Sequence, residues 1–167
     1  MAIKEKPGSK FQFKPARKAI KDFRIGVVVS EWNAKITSSL LEACKTTLLD
    51  NSIPLKNIIV EWVPGSFELP LAAKWMLDND TLDSIICLGC IIKGETPHNH
   101  YISEAVSLNI AALSIEYSLP VIFGVLTTDN EKQAVDRAGG TKGNKGEDAA
   151  LAALKMLLLS DKLCKYI

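Results

Sequence analysis

Apolar residues fall along this chain in short blocks that alternate between two spacings. Arg24 to Ser30 (RIGVVVS) is a compact β-branched run, after which Ile36, Leu40, Leu41, Cys44 and Leu48 recur at helical spacing. The pair predicts a strand and then an amphipathic helix. Ile58 to Val63 (IIVEWV) repeats the strand pattern and is ended by Pro64-Gly65. Ser66 is then placed to cap a helix running through LAAKWML, with Pro70 tolerable only near that helix's start. Ser84 to Ile92 (SIICLGCII) is apolar on both faces, as a strand covered by helices on each side must be. After a loop from Lys93 to His98, Tyr101 to Tyr117 has helical character and Val121 to Leu126 (VIFGVL) makes a fourth strand. Two helices, Glu131 to Ala138 and Gly146 to Leu159, follow around a glycine-rich, lysine-containing loop. Strands alternating with helices at short spacing give right-handed βαβ units, hence an α/β three-layer α/β/α sandwich around a doubly wound parallel four-stranded sheet.

The division expected is a basic N-terminal arm over 1–22 and a single α/β domain over 23–167. The arm carries seven lysines and arginines from Lys4 to Lys21 but no apolar core of a secretory signal, and its Phe11-Gln12-Phe13 alternation is a candidate edge strand for a neighbouring subunit. A length of 167 residues suits one domain with a proper core, and 47% hydrophobic against 23% charged residues is the balance of a chain that folds. A formal net charge of +1 offers no general field for nucleic acid or anionic lipid, so an anion must be held by a local constellation. No run reaches transmembrane length. The expected partners are therefore small molecules, with neither nucleic acid nor membrane, and the expected location is cytoplasmic.

Ligands of such folds bind outside the carboxyl ends of the strands, and the candidates for chemistry gather there. The chain has two histidines, His98 and His100, both within KGETPHNH after the third strand. Histidine titrates near neutrality and suits general acid and base work, although two polar loop residues explain the pair equally well. A zinc site is the sharper rival, but no Cys, His or Asp cluster completes one, so no metal is expected. Gly94 to Thr96 can turn successive N–H groups toward an anion, with the next helix adding its positive end. Arg137 and the loop GGTKGNKG, with Lys142 and Lys145, supply cations; that loop departs from the P-loop pattern at Asn144, and on its own is equally a solvated linker. Trp32 and Asn33 follow the first strand, and Ser66, Phe67 and Glu68 the second; an aromatic ring beside carboxylate and amide groups suits a heterocycle bearing a polyol. Core packing for Trp32 and Phe123 and helix capping for Ser66 and Glu68 are the plainer alternatives. Cys87 and Cys90 lie three apart in a strand and so point to opposite faces, which makes them structural rather than a redox pair.

Taken together, RIGVVVSEWN, VPGSFELP, LGCIIKGETPH, PVIFGVLTTDN and DRAGGTKGNKGEDAA resemble, in order and spacing, the signatures of the lumazine synthase family of riboflavin biosynthesis. The resemblance spans roughly Phe23 to Leu159 and implies a flavodoxin-like fold. It implies a cofactor-free transferase, 6,7-dimethyl-8-ribityllumazine synthase, that condenses 5-amino-6-ribitylaminouracil with 3,4-dihydroxy-2-butanone 4-phosphate to give the lumazine, phosphate and water. On that resemblance His98 is the acid/base catalyst and Arg137 the phosphate ligand, with the Glu95 and Thr96 backbone completing the nest and Lys145 helping. Trp32 stands where the family usually has phenylalanine against the pyrimidine, and its larger face also suits a flavin. Asn33 lies beside it, Ser66, Phe67 and Glu68 receive the ribityl chain, and the backbone of Cys90, Ile91 and Ile92 reads the ring. Phe123, Arg137 and Lys145 are implied to come from the adjacent subunit of a homo-pentamer, and the short GGTKGNKG loop looks more like members that close into sixty-subunit shells. Riboflavin synthase is the implied protein partner. One departure is Asn99-His100, where an aromatic-acidic pair commonly follows the catalytic histidine.

The main rival from another class is a flavodoxin-like binding module, but SEWNAKIT lacks the glycine of a phosphate loop after the first strand. A receiver would need clustered acids at the strand ends. A shell protein without activity is disfavoured by the complete set of catalytic-type residues, and the related archaeal riboflavin synthases fit the motifs less well.

Overall fold

The computed structural model describes residues 19–163. The candidate strand at Phe11–Phe13 and the fourth cysteine, Cys164, lie outside the described residues. Four parallel strands, β1 (Ile25–Ser30), β2 (Ile58–Val63), β3 (Ser84–Ile92) and β4 (Val121–Thr128), form one sheet in the order β2-β1-β3-β4. Every residue of β1 is buried, as are eight of the nine in β3, so the central strands carry no amphipathic alternation and read as continuous apolar runs.

Side chains of alternating parity feed two separate cores. Ile25, Val27 and Val29 of β1 and Ile86, Leu88 and Cys90 of β3 pack under α1 (Ala34–Asp50) and α5 (Lys145–Leu163). Val28, Cys87 and Ile91 face the opposite layer, α2 (Leu69–Asn79) and α3 (His98–Glu116). The sandwich therefore has three layers, as the spacing predicts. Cys87 and Cys90 do lie on opposite faces, and burial pushes their thiols up to about 12 and about 11, with Cys44 also at about 12. Each fully buried leucine or isoleucine, such as Leu40, Leu88 and Ile110, contributes about 1.5–3 kcal/mol relative to exposure.

Three elements differ from the sequence-based expectation. Ser66 does not cap α2: a 3-10 turn, Ser66–Glu68, intervenes, and the helix starts at Leu69 with Pro70 in its first turn. Helix α3 starts at His98 rather than near Tyr101: Pro97 stands at the N-cap, and the polar HNH segment forms the first turn. The glycine-rich segment is not a solvated linker. After α4 (Glu131–Arg137) it forms a hairpin, β5 (Ala138–Gly140) and β6 (Gly143–Asn144), with Gly143 at φ 77°. Ser39 Oγ of α1 donates to the Ala138 carbonyl at 2.6 Å, and Asn144 Nδ2 donates to the Ser39 carbonyl at 3.1 Å. Gly146 then brings α5 so close to α1 that a Cβ there would stand 1.9 Å from the Leu40 carbonyl oxygen.

Candidate functional site

The carboxyl ends of β1, β2 and β3 are laced together by hydrogen bonds outside the sheet ladder. Beyond β1, the Glu31 and Trp32 N–H groups donate to the Val63 and Pro64 carbonyls at 2.7 and 3.1 Å, which fixes the segment after β1 beside the segment after β2. Asn33 adopts the left-handed conformation, φ 61° and ψ 42°, which asparagine tolerates better than most residues. Its Nδ2 donates to the Cys90 carbonyl at 3.0 Å, so Asn33 spans from β1 to the end of β3. Trp32, Phe67, Glu68 and His98 are all exposed around this junction, Trp32 at 72%. That exposure decides against core packing for Trp32; Glu68 occupies the N-cap position of α2, but its side chain makes no cap hydrogen bond there.

The strand end of β3, Cys90, Ile91 and Ile92, turns into the segment 93–97, where the Lys93 N–H donates to the Thr128 carbonyl at 2.8 Å. Glu95 and Thr96 are exposed immediately before α3, whose 19 residues have no side-chain cap at the N-terminus. Unfilled N–H groups and the positive helix end give this turn the polarity an anion needs. His98 stands at the first position of that helix, and His100 is exposed one turn's edge away, 3.9 Å from Glu104.

Phe123, Arg137 and Lys145 lie elsewhere. They line a groove of about 390 Å³ along the outer side of β4, with Thr127, Asp148 and Ala149 among its other walls. Neither Trp32, Asn33, Ser66, Glu68 nor His98 lines it, and Lys142 does not either. Phe123 is 40% exposed, so it is a wall of the groove and not core. Arg137 is half-buried at the end of α4 and donates through Nη1 to the Gln133 carbonyl at 3.2 Å, which leaves most of its guanidinium donors open. Lys145, in contrast, is already hydrogen-bonded to Asp148 one turn along α5. Sequence reasoning missed Asp148; its signal was an acid three residues after a lysine at a helix start. Among the described residues, no three His, Cys, Asp or Glu side chains converge as metal ligands would, and no helix is long and apolar enough to cross a membrane.

The family model for 6,7-dimethyl-8-ribityllumazine synthase matches residues 22–161. The chain belongs to that family. It is 54% identical over 132 residues to the 6,7-dimethyl-8-ribityllumazine synthase of Cytophaga hutchinsonii, a stretch covering 79% of this chain and 83% of the relative. It is 47% identical to the enzyme of that name from Parabacteroides distasonis, covering 83% and 87%, and 46% identical to that from Protochlamydia amoebophila, covering 84% and 81%. As a lumazine synthase the chain is a transferase of riboflavin biosynthesis, at the condensation step that produces dimethylribityllumazine.

Proposed function

We propose that this reaction runs at a composite site, in which the strand-end cluster of one subunit meets the β4 groove of its neighbour. The observation that supports it is the separation of the two candidate sets: the cluster carries the aromatic, amide and histidine groups, and the groove carries Arg137 and Phe123. Trp32 stacks on the pyrimidine of the ribitylaminouracil, and the Cys90 to Ile92 backbone reads the ring edge. The Ser66–Glu68 turn takes the ribityl chain, Glu68 accepting from its hydroxyls. Phe123 covers the ring from the neighbouring side.

The butanone phosphate sits with its phosphate between the Glu95 and Thr96 N–H groups and the Arg137 guanidinium, whose planar fork matches a phosphate edge. The 5-amino group attacks the ketone carbon, and water leaves as the imine forms. A base then takes the proton from the hydroxyl-bearing carbon beside the imine, and that C–H electron pair forms a C=C bond as the C–O bond to phosphate breaks. The phosphate departs with the bonding electrons into the cationic nest, and the resulting enol tautomerises to a second carbonyl. The ribitylamino nitrogen attacks that carbonyl and a further water is lost as the ring closes. Each step moves a proton, and His98, exposed at the helix start, serves as acceptor and donor in turn.

The assembly is a homo-oligomer, and we assign it as a pentamer in the cytoplasm. Support comes from the apolar outer faces of α2 and α3, where Leu71, Trp75, Leu108 and Ile115 are each more than half exposed beside a groove of about 320 Å³ between the two helices. The test is to mix the purified chain with both substrates and follow the lumazine by absorbance and fluorescence. Product above the uncatalysed background, with a single sedimenting species of five subunits or a multiple of five, is expected. Catalysis by a monomer would contradict the composite site.

A further inference from the structure

Two buried hydroxyls near the strand-end cluster have no hydrogen-bond partner, and the sheet register sets them around one glycine. Ser30 closes β1 with none of its surface exposed, and Ser66 opens the 3-10 turn at 7% exposure; neither Oγ is bonded. Leaving a buried hydroxyl unpaired costs about 1–3 kcal/mol. Ser30 pairs with Val63, and the β1/β3 register carried one residue beyond Val29 and Leu88 sets Ser30 beside Gly89. Val28, Val63 and Cys87 face the α2–α3 core, so by alternation Ser30 and Gly89 face it too. A Cβ on Gly89 would stand 2.6 Å from Ser66 Oγ, which shows that the Ser66 hydroxyl occupies the space a side chain there would take. Neighbouring strands lie about 4.8 Å apart, so the two hydroxyls are within reach of one shared water.

We propose that Ser30, Ser66 and Gly89 form a buried polar seat, bridged by a single water, that docks the Ser66–Glu68 turn onto the sheet and makes Ser30 a positioning residue for the ribityl-bearing substrate. This rests on the turn being the ribityl subsite. Within the turn, the Glu68 N–H reaches the Gly65 carbonyl at a long 3.3 Å, and Phe67 and Glu68 both project into solvent. A hydroxyl is donor and acceptor at once, so two of them satisfy a water and each other through it. Ser30 touches neither substrate. Its effect reaches the site through the turn, and so falls on one substrate and not on the other.

The experiment is steady-state kinetics with each substrate varied in turn, alongside melting temperatures, on the assembled protein. Ser30→Ala is expected to raise KM for the ribitylaminouracil about fivefold, the equivalent of one lost hydrogen bond, while KM for the butanone phosphate stays within about twofold. Ser30→Cys replaces the hydroxyl with a larger, weakly donating thiol and should raise the same KM at least as much as Ser30→Ala does. Gly89→Ala drives its Cβ into Ser66 Oγ and should raise the same KM further. Adding Ser66→Ala to it should recover part of the melting temperature, the contact with Leu69 at 3.0 Å remaining, without restoring that KM. Equal changes in both KM values, or an unchanged pyrimidine KM in Ser30→Ala with an active wild type, would overturn the seat alone. A wild type that makes no lumazine would overturn the composite site and the seat together.

Discussion

The cluster at the ends of β1, β2 and β3 and the groove beside β4, which the proposed function makes complementary halves of one site, are held in different ways. In the cluster, backbone N–H groups of Glu31 and Trp32 and the side chain of Asn33 fasten three strand ends to one another, so the residues that read shape are set on a rigid edge. In the groove, Arg137 stands at the end of the seven-residue α4 with a single bond to its own helix, and the following hairpin is fastened to α1 rather than to the groove. Recognition of a heterocycle needs fixed geometry; a phosphate that must leave needs a cation able to follow it. The two parts also divide their charge: Arg137 is open to a ligand, whereas Lys145 is committed to Asp148.

That contrast can be broken at several points. Arg137→Ala removes the open cation and is expected to lower kcat/KM by about 1000-fold, measured by lumazine fluorescence, with the melting temperature unchanged. His98→Ala acts in the other half and should lower kcat by about 100-fold while sedimentation shows assembly intact. Asn33→Ala unties β1 from the Cys90 carbonyl and forces alanine into a left-handed backbone. It should cost about 2 kcal/mol, a fall of about 5 °C in melting temperature, of which Asn33→Gly recovers the backbone part. Lys145→Ala should lower kcat/KM by less than about tenfold, because the lysine is half exposed beside Asp148 and its charge is screened by solvent and by that carboxylate; a loss as large as that of Arg137→Ala would erase the distinction between the two cations. The smallest effect is at the cysteines. Burial raises Cys44, Cys87 and Cys90 from 9.0 to about 12, about 12 and about 11, so the folded state holds their protons where the unfolded chain has lost them. The stability they contribute is whole below pH 9 and lost as pH rises through 9 to 12, and a thiol reagent at pH 8 should leave all three unmodified.

The strands were legible because each is a short, largely apolar, β-branched run, broken in β2 only by Glu61, and Ser84 to Ile92 has the bounds that its pattern predicts. Strand ends mark the ligand side of a parallel sheet, and Trp32, Asn33, Ser66–Glu68 and His98 could be placed there as candidates from their positions directly after apolar runs. Local pattern failed where tertiary contacts decide. The first turn of α3 is polar and follows a proline, so it has no apolar period to betray it. The hairpin over 138–144 is held by Ser39, about a hundred residues away in sequence, and nothing in GGTKGNKG announces that partner. Ser66 has the right identity and place for a cap, but a 3-10 turn with a buried hydroxyl uses it differently. Ser30 gave no signal at all, since a serine ending an apolar strand is common and its burial depends on three neighbouring segments.

The most direct measurement of the composite site is complementation between inactive subunits. His98→Ala and Arg137→Ala chains are purified separately, dissociated, mixed in equal amounts and reassembled, and lumazine formation is compared with each variant reassembled alone. If a site takes His98 from one subunit and Arg137 from the next, random mixing leaves about a quarter of the interfaces intact, and roughly a quarter of wild-type activity returns. If both residues serve a site within one chain, every site in the mixture lacks one of them, and activity stays at the level of the separate variants.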